Sequence, residues 1–223
     1  MHLRNIPKTA KIGAGSFNQD SKGRWYLNVC IEITTATHAL PNRVGIDLGL
    51  KDLTTLSDGR KIETPRFYRK SEATLATTQR ARKTKRARTI HAKIANRRKD
   101  FMHKLSNQLT KEYGLIVIGD VSSSKLAQTR MAKSVLDAGW SDLKTKLSYK
   151  SIRNGGSCLE VSERMTTQTC SECGALPASR PRGIAGLRIR EWTCECGTSH
   201  DRDVNAARNI LRLGLETLGV GAS

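Results

Sequence analysis

Four cysteines in the C-terminal part of the chain are grouped in two pairs, and an acidic motif follows the second pair. The pairs are Cys170 with Cys173 and Cys194 with Cys196, and the motif is His200-Asp201-Arg202-Asp203. Paired cysteines at such spacings are typical ligands of structural Zn²⁺. Carboxylates suit Mg²⁺, because this hard cation prefers oxygen donors. The pattern therefore predicts a loop stabilised by structural zinc, beside a second metal site formed by carboxylates.

The chain is strongly basic. Its 223 residues include 39 Lys and Arg against 20 Asp and Glu, which gives a formal net charge of +19. This excess favours a polyanionic partner, since cationic side chains neutralise phosphates and release counterions. The sequence contains no run of about 18 apolar residues, so no membrane span is expected, and its start lacks a signal-peptide core. We therefore expect a cytoplasmic protein that binds nucleic acid and keeps its thiols reduced.

Hydrophobic periodicity predicts an α/β protein with a mixed sheet flanked by helices. The predicted strands cover residues 24–33, 43–50, 53–56, 61–63, 115–121 and 157–163. The predicted helices cover 71–112, where one break is allowed, 131–153 and 204–218. In the second helix, the expected packing positions are Val135, Leu136, Trp140, Leu143, Leu147 and Tyr149. The remaining cysteines, Cys30 and Cys158, fall within strands and are expected in the core.

One part of the first helix carries an uncompensated positive charge. Ten of the twenty residues from 80 to 99 are Lys or Arg, and none is acidic. Because such a run without counter-charges repels itself, we expect it to face phosphates and bind nucleic acid through the backbone. The candidate side chains are Arg80, Arg82, Lys83, Lys85, Arg86, Arg88, Arg97 and Arg98.

Acids at the ends of predicted elements suggest a hydrolytic site. Asp47 interrupts the apolar strand 43–50, and Asp203 begins the last helix. Two Mg²⁺ ions about 3.5–4 Å apart, held by converging carboxylates, can activate water and stabilise the leaving oxygen of a phosphodiester. Such a site needs a third acid, and the sequence offers Asp120 and Glu163, each at a strand end. The choice between these two stays open at this stage.

Three segments resemble the OrfB/TnpB family of insertion-sequence proteins, which have long been called transposases and are relatives of type V CRISPR effector nucleases. They are Val44-Gly45-Ile46-Asp47-Leu48-Gly49, residues 166–174 and residues 200–210. The resemblance extends over roughly residues 20–213. It implies a RuvC-like (RNase H-like) nuclease with an inserted zinc-ribbon-like module that binds target nucleic acid. It also implies magnesium-dependent, RNA-guided DNA cleavage in a prokaryotic, nucleoid-associated setting, with a guide RNA encoded by the element.

The resemblance also implies residue roles and a domain organisation. Asp47 becomes the first carboxylate and Asp203 the third, and the four paired cysteines become the zinc ligands. Residues 1–40 are expected to be the end of a β-rich wedge domain, of which the N-terminal part is truncated. Residues 41–165 with 198–218 form the expected nuclease domain, 166–197 the zinc-ribbon-like module and 219–223 a tail.

Two positions depart from the family pattern. Where the family has a middle Glu, this chain has Gly119 or Asp120, so Glu163 competes for that role. The second cysteine pair has one intervening residue in place of two, which leaves His200 as an alternative zinc ligand. The competing hypothesis is therefore a truncated, nuclease-inactive remnant that only binds DNA or RNA.

Overall fold

The structure is a computed structural model that describes residues 10–20, 23–32, 34, 40–121, 132–183 and 185–220. Its strands are β1 (Lys11–Gln19), β2 (Trp25–Glu32), β3 (Arg43–Leu48), β4 (Asp52–Leu56), β5 (Lys61–Glu63), β6 (Leu115–Gly119), β7 (Ser157–Val161), β8 (Glu191–Thr193) and β9 (Ser199–Asp201). Its helices are α1 (Phe67–Arg80), α2 (Thr84–Glu112), α3 (Ala132–Ala138), α4 (Trp140–Arg153) and α5 (Arg202–Thr217), with a 3-10 turn at Ala185–Arg188. Part of the predicted N-terminal unit (1–9, 21–22, 33 and 35–39) and of the tail (221–223) lies outside the described residues.

A mixed sheet with strand order β5-β4-β3-β6-β7 forms the centre of the fold. Strands β3, β6 and β7 run parallel, while β4 and β5 continue the sheet in antiparallel pairs. Apolar residues of α2, α3 and α4 cover one face of this sheet. Helix α5 covers the other face, where Ile210 packs against Val117 and Val161. The predicted α/β class, a mixed sheet flanked by helices, is confirmed.

Two glycines let α5 lie directly on the sheet. A Cβ atom added at Gly45 of β3 would lie 2.0 Å from the carbonyl oxygen of Ala207 in α5. One added at Gly214 of α5 would lie 2.4 Å from a methyl group of Val117 in β6. No side chain fits at either contact. The resulting close approach brings the first turn of α5 to the end of β3.

Both long predicted helices are interrupted. The region 71–112 is divided into α1 and α2 at residues 81–83, where Arg82 has a left-handed backbone (φ 51°). The region 131–153 is divided into α3 and α4 at Gly139 (φ 66°). Most of its predicted packing positions are buried, but Leu136 and Tyr149 are exposed, so the prediction was wrong for these two. Within the described ranges, no helix is long and apolar enough to cross a membrane.

Strands β1 and β2 form a separate antiparallel hairpin. The sequence predicted β2 but not β1. Phe17 and Trp25 on this hairpin are exposed by 73% and 69%, so its apolar side chains are not covered by the described part of the chain. Cys30 is accordingly exposed, which contradicts its predicted place in the core, whereas Cys158 is half-buried.

The segment between β7 and α5 forms the zinc-ribbon-like insertion. Strands β8 and β9 pair antiparallel, and Trp192 of β8 packs with Cys170 and Cys194 in a small apolar cluster. Strand β9 ends at Asp201 and α5 begins at Arg202, so the insertion joins α5 without an intervening loop.

Candidate active site and metal centre

The first candidate carboxylate projects from the α5 side of the sheet. Val44, Ile46 and Leu48 of β3 belong to the core on the opposite side. Because side chains alternate along a strand, Gly45 and Asp47 face α5. Asp47 is half-buried and lines a cleft of about 530 Å³ at the ends of the parallel strands.

Asp203 reaches the same cleft from the first turn of α5. Asp201 caps this helix, because its side chain accepts hydrogen bonds from the backbone N–H groups of Asp203 (3.1 Å) and Val204 (3.0 Å). Capping orients Asp201 toward the backbone and leaves the Asp203 carboxylate directed into the cleft. That carboxylate accepts hydrogen bonds from the guanidinium groups of Arg190 (3.0 Å) and Arg202 (3.0 Å).

The two candidates for the middle carboxylate occupy different places. Glu163 lines the cleft, two residues beyond Val161 and on the same side of the sheet. Asp120 is exposed, and its carboxylate accepts a hydrogen bond of 3.2 Å from the backbone N–H of Glu163. The structure therefore brings Glu163 into the cleft with Asp47 and Asp203, while Asp120 contacts the backbone behind it.

Gly119 makes room for Glu163. A Cβ atom added at Gly119 would lie 3.1 Å from the Glu163 carboxylate and 3.3 Å from its Cβ atom. The residue at the end of β6 thus faces α5, as Asp47 does, but offers no side chain. Glu163, which comes from the adjacent strand β7, fills the space above it.

The carboxylates of the cleft repel one another. Burial, and then the negative charges of Asp203 and Glu163, raise the pKa of Asp47 to about 8, and the nearby Arg202 opposes the shift. Burial, and then the carboxylate of Asp120, raise the pKa of Glu163 above its ordinary value. Half-buried carboxylate oxygens whose negative charges oppose one another suit a divalent cation. The residues present therefore fit the magnesium site that the sequence predicted.

Two further features shape the cleft. Trp140, the first residue of α4, lines it and donates a hydrogen bond of 3.2 Å from its indole N–H to the carbonyl oxygen of Gly49. This contact fixes the turn that follows Asp47. Pro181, Gly186 and Arg190 from the insertion also line the cleft.

The four paired cysteines form a cluster. The sulfur atoms of Cys170, Cys173, Cys194 and Cys196 all lie within 4.8 Å of one another. The Cys170–Cys196 and Cys173–Cys194 sulfur distances are 3.8 and 3.7 Å. Around a tetrahedral Zn²⁺ with Zn–S bonds of about 2.3 Å, the sulfur atoms would be about 3.8 Å apart. The cluster can therefore hold a metal of this kind, and the single residue between the second pair does not prevent it.

His200 stands beside this cluster rather than within it. Its Nε2 atom lies 3.1 Å from the sulfur of Cys170, and its ring packs on Trp192 with centroids 4.7 Å apart. Among the described residues, the group of converging ligand atoms consists of the four cysteines. A histidine that hydrogen-bonds a thiolate can orient the metal ligand without itself binding the ion.

The basic run lies at the start of α2 and just before it. Arg82, Lys83, Lys85, Arg86, Arg88 and Arg97 are exposed, and the described part of the chain gives them no ion pair. Arg80 is also exposed, with its Nε atom donating to the carbonyl oxygen of Ala76. Arg98 differs, because its guanidinium group lies 3.8 Å from the buried carboxylate of Asp137. This places Arg98 on the packed side of α2, away from the other predicted residues.

Several residues near the cleft were not predicted from the sequence. Arg190 and Arg202 bind Asp203, and Asn205 and Asn209 of α5 bind backbone carbonyls of the insertion. Arg202 and the two asparagines lie in the segment 200–210, so their proximity to Asp203 was a usable signal. Arg190 lies in a stretch without periodicity, and the sequence offered no signal for its role.

The central sheet, α5 and the cysteine cluster define a RuvC-like nuclease fold with a zinc-ribbon-like insertion. Residues 27–130 match the family described as a probable transposase (OrfB_IS605). Residues 140–210 match the Cas12f1-like TNB domain. The resemblance to the OrfB/TnpB family that the motifs indicated is confirmed by these two matches.

Individual relatives agree with this assignment. The chain is 37% identical to a putative RNA-guided DNA endonuclease of Streptomyces pristinaespiralis, over 98% of its own length and 57% of that protein. It is 30% identical to the putative RNA-guided DNA endonuclease InsQ of Escherichia coli K12, over 99% and 61% of the two chains. A cryo-EM structure of a Cas12f1–sgRNA–target DNA complex shares the fold, with a TM-score of 0.58 and 16% identity over 92% of this chain and 56% of that one. The chain thus spans about three fifths of the length of these relatives.

Proposed function

We propose that the chain is a metal-dependent DNA endonuclease of the transposon-associated OrfB/TnpB type, guided by RNA. The observation that carries this proposal is that Asp47, Glu163 and Asp203 all line one cleft. Burial, and then the negative charges of Asp203 and Glu163, raise the pKa of Asp47, which supports a site that can accept a cation. The names of the relatives support the type of reaction and the guide.

In this proposal, Asp47, Glu163 and Asp203 hold the catalytic Mg²⁺ ions, most simply two of them, and Asp120 is auxiliary. Bound Mg²⁺ activates water and stabilises the leaving oxygen of the phosphodiester. The chain's own residues orient this chemistry. Asp120 holds the backbone of Glu163, Asp201 caps the helix that presents Asp203, and Trp140 fixes the turn after Asp47.

Arginines next to the carboxylates are suited to bind the substrate. Arg190 is half-exposed and belongs to the insertion, whereas its partner Asp203 belongs to α5. Arginine binds phosphate and carboxylate in the same forked geometry, so Arg190 can transfer its hydrogen bonds from Asp203 to a phosphate of the target strand. The contact between the insertion and α5 would thereby depend on whether a phosphate of the target strand occupies the cleft.

We assign Zn²⁺ to the four-cysteine cluster, where it serves a structural role. Residues 166–197, as the zinc-ribbon-like module, then contact the target nucleic acid, and residues 41–165 with 198–218 act as the nuclease domain. The exposed cations around the start of α2 bind the phosphate backbone of DNA or of the guide RNA. We infer that the protein acts on nucleoid DNA in the cytoplasm.

A cleavage assay tests the proposal. Purified protein is incubated with Mg²⁺ and with single- or double-stranded DNA, with and without the RNA that co-purifies with it. Asp47→Ala and Asp203→Ala should abolish cleavage but leave nucleic-acid binding nearly intact. Asp100→Ala is the matched control, because Asp100 pairs with Lys104 on the surface of α2. Binding without any cleavage by the unmodified chain would instead support the nuclease-inactive alternative, and cleavage that survives both cleft substitutions would refute the site.

A further inference from the structure

Two buried asparagines on α5 bind the same pair of backbone carbonyls. Asn205 and Asn209 are one helical turn apart, and each is 1% exposed. The Asn205 amide donates to the carbonyl oxygens of Thr166 (3.0 Å) and Thr169 (2.8 Å). The Asn209 amide donates to the same two oxygens, at 2.9 and 2.7 Å. All four amide hydrogens are therefore directed at one short segment.

This segment connects the two candidate metal sites. On one side, Thr166 donates hydrogen bonds from its hydroxyl group (2.8 Å) and its backbone N–H (3.2 Å) to the carbonyl oxygen of Glu163. On the other side, the Asn205 side-chain oxygen accepts a hydrogen bond of 2.9 Å from the backbone N–H of Ser171, next to Cys170. The segment from Glu163 to Ser171 is thus fixed to the helix that carries Asp203.

We propose that Asn205 and Asn209 are positioning residues, which hold the 163–171 segment on α5 so that Glu163 faces Asp47 and Asp203. The role in metal binding rests on the proposed function of these carboxylates. The amide group suits this task because it is neutral and has two donors, and each asparagine donates to both backbone carbonyls of the segment. Groups that orient metal ligands in this way typically change metal affinity about 10–100-fold when removed.

The pair also couples the insertion to the cleft. Asn205 contacts the Thr166 and Thr169 carbonyls and the Ser171 N–H at once, and it lies two residues after Asp203. A displacement of the cysteine cluster relative to α5 would therefore move the segment that ends in Glu163. The positioning residues make the geometry of the carboxylates depend on a correctly seated insertion.

Single variants test the proposal, because each leaves the other amide bonded to both carbonyls. Asn209→Ala removes the amide, and Asn209→Leu removes it while keeping the side-chain volume. The matched control is Asn154→Ala, since the Asn154 amide also joins two elements, at Thr110 of α2, but neither residue lines the cleft. All proteins are loaded with zinc, and Mn²⁺ binding is measured by calorimetry in the absence of DNA.

Both Asn209 variants should bind Mn²⁺ about 10-fold more weakly than the unmodified chain, at unchanged zinc content, and Asn154→Ala should bind as the unmodified chain does. Unchanged Mn²⁺ affinity in both Asn209 variants would overturn the positioning role in metal binding. Hydrogen exchange in the metal-free cleft is the second measurement. The Thr166 and Ser171 N–H groups should exchange faster in the Asn209 variants and at the original rate in Asn154→Ala. If the unmodified chain binds no Mn²⁺, the proposed function fails. The exchange rates alone then decide whether Asn205 and Asn209 hold the 163–171 segment on α5.

Discussion

Replacing Asp47 with asparagine should stabilise the magnesium-free protein, and by more at high pH than at low pH. In the folded chain the pKa of Asp47 is raised from 3.8 to about 8. Between these values the folded state still binds the proton that the unfolded state has released, so the carboxyl group lowers stability progressively as the pH rises through this window. Asparagine has nearly the same shape and no charge, and it removes this effect.

The size of the effect follows from the shift. A difference of about four pKa units corresponds to at most about 6 kcal/mol. Because Asp47 lines an open cleft and is only half-buried, water screens its charge, and we expect about 2 kcal/mol at pH 9. At pH 6 the folded protein retains the proton, and about half of that gain remains. For a chain of this size, the melting temperature should rise by about 4–8 °C at pH 9 and about 2–4 °C at pH 6.

Thermal unfolding of zinc-loaded, magnesium-free protein at the two pH values is the appropriate assay. Divalent metal is removed by dialysis rather than by a chelator, since a chelator would also extract zinc. Asp100→Asn, which alters an exposed ion pair, should shift the melting temperature little. Added Mg²⁺ should then stabilise the unmodified chain more than Asp47→Asn. The reasoning is refuted if Asp47→Asn is no more stable than the unmodified chain at pH 9, or if its gain is equal at both pH values.

Three further outcomes are expected. Elemental analysis should find one zinc per chain, and chelation should make the insertion sensitive to limited proteolysis, because the metal joins its two cysteine pairs and the apolar cluster around Trp192 is small; zinc-free, protease-resistant protein would contradict this. Replacing Arg82 and Arg86 with Gln should weaken binding to all DNA sequences alike and reduce the salt-dependence slope by about two, whereas a loss of sequence preference at constant slope would argue against backbone contacts. Glu163→Gln should reduce Mg²⁺ binding and cleavage more than Asp120→Asn, since Glu163 lines the cleft and Asp120 contacts its backbone; the reverse order would exchange their roles.

The sequence predicted those features that depend on local periodicity. The alternation of apolar residues around Asp47 predicted β3, and the apolar spacing after Asp203 predicted α5. The cysteine spacing predicted a cluster that the structure contains. For β3 and α5 a residue pattern within a single element carries the information, and for the cysteines the short spacing within each pair does.

Features that depend on contacts between elements were not predicted. Strand β1 contains Gly13, Gly15 and several polar residues, so its intrinsic tendency to form a strand is weak, and its pairing with β2 determines its conformation. The left-handed residue Arg82 separates α1 from α2 without a glycine or proline to mark the break. Arg190, which binds Asp203, belongs to the insertion, and sequence spacing does not show that the two residues meet.

The choice between Asp120 and Glu163 as the middle carboxylate depends on the space beside Gly119. Strands β6 and β7 are parallel neighbours, with Gly119 paired to Val161, so the ends of both strands reach the same side of Asp47. A side chain at position 119 would contact Glu163, at 3.1 Å from its carboxylate, so the two positions compete for one space. A side chain there would therefore require Glu163 to move by a few tenths of an ångström. We infer that Gly119, by leaving this space open, favours Glu163 over Asp120 as the third acid, and the comparison of Glu163→Gln with Asp120→Asn tests this order.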